Sequence, residues 1–364
     1  MRMKRSKKLL PIVLPCVGML VLILDSKTAL QGAQTGIELC FKSVIPSLFP
    51  FFVCSILLTG VMAGQNVPFL KPVVRFCKMP SGSENLLIVG LLGGYPVGAK
   101  CIFDSWKRGM ISKEDAKRCL GFCSNAGPAF IFGMCSALFS NIMSVWVLWL
   151  IHITSALFVG NLLPGKENTT VTPPQKAGVS LPEAMEKSIG AMLSVCSWIV
   201  LFRVIIAFGQ RWFLWLLPEN WSITLEGLLE LANGCISLSA VDAEGLRFVL
   251  SAGFLGLGGL CVGLQTVSVV GELGTGMYFP GKVLQCGISV CLAVLYASIQ
   301  YGLCSPVVPV SFALAFTLLV IIKKTVDFPK RLVYNVEKNW KGDLLCYSER
   351  KSQNPAAIAP AAQK

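Results

Sequence analysis

Two apolar stretches of this chain are interrupted by nearly the same phrase, LGGYPVG at 92–98 and LGGLCVG at 257–263. Each sets a Gly pair in the middle of what should be a membrane helix. Each continues with a polar residue two positions on, Lys100 in one and Gln265 in the other. A soluble domain has little use for such a pattern. In a bilayer, Gly/Pro-interrupted apolar segments in corresponding places of two halves point to a solute site near the midplane. The pattern therefore predicts a membrane transporter.

Composition agrees with a membrane setting: hydrophobic residues make up 54% and charged residues 14%, with a mean hydropathy of +0.67. A helix needs about 20 apolar residues to cross the hydrocarbon core. The windows Leu9–Leu24, Pro46–Met62, Ile142–Leu163, Gly190–Phe208, Val283–Leu303 and Val307–Ile322 approach or exceed that length. Leu86–Trp106 and Leu246–Val270 are long enough but carry the Gly phrases. The predicted fold is an all-α polytopic membrane protein with two pseudo-repeated halves and Gly/Pro-broken or re-entrant helices.

The net charge of +13 does not imply a nucleic-acid partner, because the basic residues cluster at the ends of apolar runs. Arg2, Lys4, Arg5, Lys7 and Lys8 precede the first window, and Lys323, Lys324, Lys330, Arg331, Lys338 and Lys341 follow the last. The positive-inside rule then places both termini in the cytoplasm and makes the number of crossings even. The N-terminus has the basic and apolar regions of a secretory signal, but DSKTALQG offers no clean cleavage site, so an uncleaved first helix is expected. Fifteen cysteines are scattered without a CxxC, and His152 is the single histidine. Reduced thiols, no metal and no cofactor are the expectation.

A polar, Pro-rich linker, Pro164–Leu181, divides the sequence. The expected organisation is an N-terminal membrane half (1–163), the linker (164–181), a C-terminal membrane half (182–325) and a basic cytoplasmic tail (326–364). Besides the Gly phrases, SNAGPAF at 124–130 and ELANG at 230–234 look like helix interruptions. They fall after the Gly phrase in one half and before it in the other, so the repeat is imperfect. Lys113–Phe122 reads as an amphipathic helix with Glu114 and Asp115 in its first turn, stopped by Asn125-Ala-Gly-Pro128. Interrupted helices in a membrane leave free N–H and C=O groups that protein or a watery cavity must satisfy, and exposed helix N-termini attract anions.

The candidate binding residues follow from these breaks: Gly93, Gly94, Tyr95, Pro96, Gly98 and Lys100 in the first, Asn125 and Gly127 in the second. Asn233 and Gly234 belong to the third, and Gly258, Gly259, Gln265 and Thr266, with Ser268 beyond, to the fourth. Tight GxxxG packing (Gly90/Gly94, Gly94/Gly98, Gly259/Gly263) is the competing account of the glycines. Lys100 is either a site cation or a snorkelling residue near Lys107 and Arg108. Arg203, within CSWIVLFRVIIAF, is either an anion's counter-charge or the partner of a buried acid, Glu230 being the first choice. Glu230 and Asn233 could alternatively hold a coupling cation or proton. His152 reads as a packing histidine. Enzyme signatures are poor: Gly276-MYFP-Gly281-Lys282 starts like a P-loop, but Val283 stands where Ser/Thr is required and a membrane helix follows, so the match is accidental.

PSLFPFFVCSILL (46–58), GLLGGYPVGAK (90–100), RGMISKEDAKR (108–118) and SNAGPAFIFG (124–133) together resemble sporulation integral membrane proteins of the YlbJ/SpoVV type. These belong to the nucleoside-recognition or Gate group, which is related to concentrative nucleoside transporters. The resemblance extends over most of 9–325 and is strongest across 45–135. It implies a role in endospore formation: moving a small organic anion, dipicolinate, from the mother cell across the outer forespore membrane. It also implies rigid-body or elevator motion and ion coupling. A nucleoside or other small-metabolite permease is the alternative within transport. A non-transporting organiser that recruits sporulation proteins through the basic tail is the alternative outside it. Membrane lipid is the other expected partner, and self-association into a homo-oligomer is left open.

Overall fold

The computed structural model describes residues 2–62, 67–165, 171 and 178–305. The expected span at 307–322, the basic tail and most of the linker lie outside the described residues. Among the described residues the chain is helical, with five helical runs long and apolar enough to cross a membrane. These are Ser26–Val61, Ile142–Leu162, Leu181–Trp212, Glu244–Leu273 and Tyr278–Tyr301.

The first helix, α1 (Arg2–Leu24), contains the predicted span Leu9–Leu24. Asp25 ends it and caps α2 (Ser26–Leu39), accepting from the Thr28 N–H at 3.4 Å. A π-helical turn, Cys40–Val44, then leads straight into α3 (Ile45–Met62). The predicted span Pro46–Met62 is thus the second half of a longer rod. Periodicity concealed its first half, because SKTALQGAQTGIEL mixes polar and small residues. Those small residues have a packing use. A Cβ on Gly32 would lie 3.0 Å from Val204 Cα, and one on Gly36 3.0 Å from Val200 Cα. Helix α10 (Leu181–Trp212), N-capped by Ser180, therefore approaches α2 along a Gly32/Gly36 seam. The small-residue spacing that packs two long helices is here, not in the Gly phrases.

Between these rods lie shorter pieces. After α4 (Lys71–Phe76) come α5 (Glu84–Leu92) and α6 (Val97–Lys107), which fold back on each other so that Gly98 meets Gly90. Leu86–Trp106 is therefore a helical hairpin, not one kinked helix. Helix α7 (Lys113–Cys119), N-capped by Ser112, runs into the irregular segment 120–127, and Pro128 opens α8 (Pro128–Met134). Helix α9 (Ile142–Leu162), N-capped by Asn141, is the uninterrupted span expected there.

The second part continues from α10 into α11 (Glu219–Leu229) and α12 (Leu231–Ser237), again a hairpin, with Gly227 against Gly234. Helices α13 (Glu244–Leu257) and α14 (Gly259–Val270) follow, separated by Gly258 in the left-handed region. Helix α15 (Tyr278–Tyr301) closes the described chain, starting inside the P-loop-like phrase. The two Gly phrases are consequently not counterparts. LGGYPVG turns a hairpin, whereas LGGLCVG separates two helices that do not fold back on one another.

Helices α9, α13 and α15 pack together: Tyr296 lies on Phe248, Gly256 is set on the Cys286 backbone, and Ser144 of α9 bonds the Tyr296 and Tyr301 hydroxyls. Buried Arg118 reaches the carbonyls of Cys77 and Lys78 after α4 and of Gly160 at the end of α9. A guanidinium at two helix C-termini answers both dipole ends and carbonyls that have no partner in their own helices. Large apolar side chains such as Leu193, Leu201, Val283 and Ile299 face outward, as a lipid environment requires.

Candidate functional site

The interruptions converge. In the first hairpin the residues Gly93–Ala99 are all buried, with Gly94 at φ +74° and Gly93 ending α5. Gly127, in the break between α7 and α8, sits so close to this tip that a Cβ on it would be 3.0 Å from Gly94 Cα and from Leu92 O. The second hairpin relates in the same way to the break between α13 and α14. A Cβ on Gly259 would lie 3.2 Å from Gly227 O and 3.3 Å from Leu228 O. The two pairs meet through Tyr95, whose hydroxyl would be 3.1 Å from a Cβ on Gly258. Glycine is required at these positions because backbone approaches backbone and the turns use positive φ.

A cavity of about 40 Å³ lies at this meeting point. It is lined by Gly94 and Tyr95, Ala126 and Gly127, Glu230, Leu231 and Ala232, and Val262 and Gln265. Val44 and Leu48 from the α2–α3 rod and Val195 and Ile199 from α10 complete the wall. The space suits roughly one or two waters, whereas pockets for organic ligands hold about 300–1,000 Å³. An organic solute would need the residues around this space to move apart.

Two buried charges flank it. Glu230 caps α12, its carboxylate accepting from the N–H of Ala232 at 3.1 Å and of Asn233 at 2.6 Å, and from Asn233 Nδ2 at 2.7 Å. Three donors at a helix start hold this anion in place. The other charge is Lys282, 1% exposed in the first turns of α15. Its Nζ donates to Gln285 Oε1 at 2.8 Å and to Asn125 Oδ1 at 3.1 Å, and lies 5.2 Å from the centre of the Tyr95 ring. Asn125 is the hub of this corner. Its Nδ2 donates to Gly90 O and Phe122 O, while its Oδ1 also accepts from Gln285 Nε2 at 3.0 Å. Gln285 reaches on to the His152 carbonyl, and Ser289 to Ser155. The His152 ring is buried, and neither of its nitrogens has a partner among the described residues.

Of the residues picked from sequence, Gly94, Tyr95, Gly127, Glu230 and Gln265 line the cavity, and Gly258 and Gly259 brace it. Asn125 and Asn233 hold charged partners just behind it. Gly93, Pro96 and Thr266 are buried close by in chain, while Gly98 and Gly234 lock the hairpin arms. Two cations fall elsewhere. The Lys100 side chain is 55% exposed, pairs with Asp104 and lies over Phe103, which is the snorkelling arrangement. Arg203 turns toward α2 and lines a separate polar groove with Gln31, Thr35 and Gln210. It donates to Gln210 at 3.5 Å, and Gln210 in turn bonds Glu226, so no direct ion pair joins Arg203 to Glu230 among the described residues. Lys282 is not singled out by the sequence pattern. It follows Pro280 and Gly281 at the head of an apolar run, where a lysine reads as an interfacial residue or as part of an accidental P-loop. The signal that could have found it is the pair Lys282/Gln285, one helical turn apart and facing the same way.

The fold and this arrangement define an all-α polytopic membrane protein with a small, polar-cornered site among interrupted helices. The chain is similar to the sporulation integral membrane protein YlbJ of Bacillus subtilis (strain 168), at 26% identity over 298 residues, covering 68% of this chain and 71% of that protein. This similarity supports the YlbJ-type assignment. No protein-family model matches the chain. No solved structure matches it.

Proposed function

We propose that this chain is a sporulation membrane transporter whose solute passes through the cavity where the interruptions meet. The observation that carries the reading is that two hairpin tips and two helix breaks, far apart in sequence, line or brace one buried cavity. Irregular backbone at membrane depth is tolerated where it lines a cavity, and transporters place their sites at such breaks. The order hairpin, interrupted helix, long helix runs through α5–α6, α7–α8 and α9, and again through α11–α12, α13–α14 and α15. This supports two pseudo-repeated halves of the kind that the resemblance to nucleoside-transporter relatives implies.

Within this reading the solute is a small organic anion, dipicolinate, taken from the mother cell across the outer forespore membrane. Glu230 with Asn233 is the place for a coupling proton or cation, since it puts a carboxylate at the cavity wall. A nucleoside or other small-metabolite permease is the second reading. It is favoured by the uncharged amide of Gln265 on the wall and by the lack of any cation among the described lining residues.

Flux into proteoliposomes tests both, with dipicolinate and uridine as solutes and Gly94→Leu as the blocked form. Dipicolinate entry well above empty vesicles, abolished in Gly94→Leu, is the expected outcome. Uridine entry alone would replace the first reading with the second. Folded protein that moves neither, with or without an imposed ion gradient, would sink both and favour the organiser.

A further inference from the structure

We propose that Lys282 is the counter-charge of an organic carboxylate bound at the tip of the first hairpin, with Tyr95 as the partition between the cation and the cavity. The inference rests on the cavity being the solute site and names the residue and the ligand class.

The argument begins with the balance of donors and acceptors. Lysine ammonium carries three N–H donors. The two acceptors that Lys282 Nζ meets, Asn125 Oδ1 and Gln285 Oε1, are neutral amide oxygens. No carboxylate lies within ion-pair distance of it among the described residues. A buried charge is ordinarily paired, and an ionisable residue inside a membrane without a counter-ion is by default a candidate for function. Tyr278 adds a second ring at 5.9 Å, so the cation rests between two aromatic faces. These moderate its desolvation without neutralising it.

Glu230 does not serve as that counter-ion. Its carboxylate already accepts three hydrogen bonds at the start of α12. The Glu230 carboxylate has three donors of its own, whereas the Lys282 ammonium meets only neutral amide oxygens, so the group that complements it is a negative one.

The side of Lys282 that faces the cavity is covered by Tyr95. Tyr95 lines the cavity and also stands over Lys282. Its hydroxyl, buried against Gly258, has no hydrogen-bond partner among the described residues, and neither has the Ser124 hydroxyl beside Asn125. A shift of the Tyr95 side chain would open the cavity to the ammonium and supply a further O–H donor to a carboxylate. Every residue in this corner other than Lys282 is neutral among those its hydrogen bonds reach. Selectivity for an anion over a neutral solute of similar size therefore rests on one side chain.

Binding to the full chain purified in detergent tests this, by calorimetric titration with pyridine-2,6-dicarboxylate, benzoate and uridine. Wild type is expected to bind both carboxylates. Lys282→Gln is expected to lose at least about tenfold in carboxylate affinity while its affinity for uridine changes less than about twofold. Carboxylate affinity unchanged in folded Lys282→Gln, or no carboxylate binding by wild type, would overturn the proposal. Gln285→Leu guards against a merely structural effect, because it frees a second N–H of Lys282 and keeps the charge. It is expected to bind the dicarboxylate at least as tightly as wild type, and weakening like that of Lys282→Gln would overturn the proposal. Protein that binds carboxylate but moves no solute in vesicles keeps this inference and loses the transport reading. Protein that moves uridine and binds no carboxylate does the opposite.

Discussion

The two hairpins solve one packing problem with different materials. In both, glycine lets two helical arms lie closer than side chains allow. In the first, the arms press on a third element: Cβ atoms on Gly90 and Gly98 would meet the Cys123 backbone at 2.6 Å and 2.5 Å. In the second, the arms press on each other, a Cβ on Gly234 lying 2.2 Å from Gly227 Cα, and Phe254 covers the contact. Their tips differ in charge. The first turns through Tyr95 with a cation behind it, and the second through Glu230, an anion held by its own helix start. A common backbone device can therefore carry opposite charges near one cavity, the anion on its wall and the cation behind a tyrosine.

That contrast is breakable by substitution. Gly234→Ala should do the most damage, since its Cβ meets backbone of the partner arm, which cannot turn aside as a side chain would. A loss of about 3 kcal/mol or more is expected, read as a fall in chemical-denaturation midpoint or as failure to recover folded protein. Gly98→Ala meets the Cys123 carbonyl in a segment outside regular helix, which can shift, so about 1–3 kcal/mol is expected. Equal costs at the two positions would show that the hairpins are built alike after all.

The tips give a smaller test. Glu230→Ala removes the cap of α12 and should cost about 1 kcal/mol, while Glu230→Gln keeps an acceptor oxygen and should cost less. Tyr95→Phe deletes a hydroxyl that has no partner and should change the melting temperature little. A Tyr95→Phe penalty as large as that of Glu230→Ala would mean that the first tip is held by a bond at that hydroxyl. The smallest effect is expected at Lys100→Ala, within about 0.5 kcal/mol and with flux like that of wild type. Its ion pair with Asp104 is exposed, and a clear loss of flux would return this lysine to the site.

Helix breaks were legible in the chain because Gly pairs and Gly-Pro steps interrupt otherwise apolar runs, and Tyr95, Asn125, Glu230 and Gln265 were found by their nearness to those breaks. The partnering of the breaks was not legible. LGGYPVG and LGGLCVG share letters, but one reverses the chain and the other does not. Whether a Gly pair turns the chain back depends on what the flanking arms meet, here Cys123 in one case and the α13–α15 packing in the other. Lys282 was hidden for a related reason. A lysine beside Pro and Gly at the head of a span has the same local pattern whether it faces lipid headgroups or Asn125 from another helix.

The amino-acid sequence by itself settled that this protein is helical and built for a membrane, because hydropathy and helix breaking act over a few residues at a time. Only the tertiary structure decided which interruptions share a cavity, that Lys100 and Arg203 lie away from it and that Lys282 lies behind Tyr95. The shared cavity and the place of Lys282 depend on contacts between residues tens to more than a hundred positions apart, where the deciding terms are desolvation and close backbone approach, and neither is written in any local stretch of the chain.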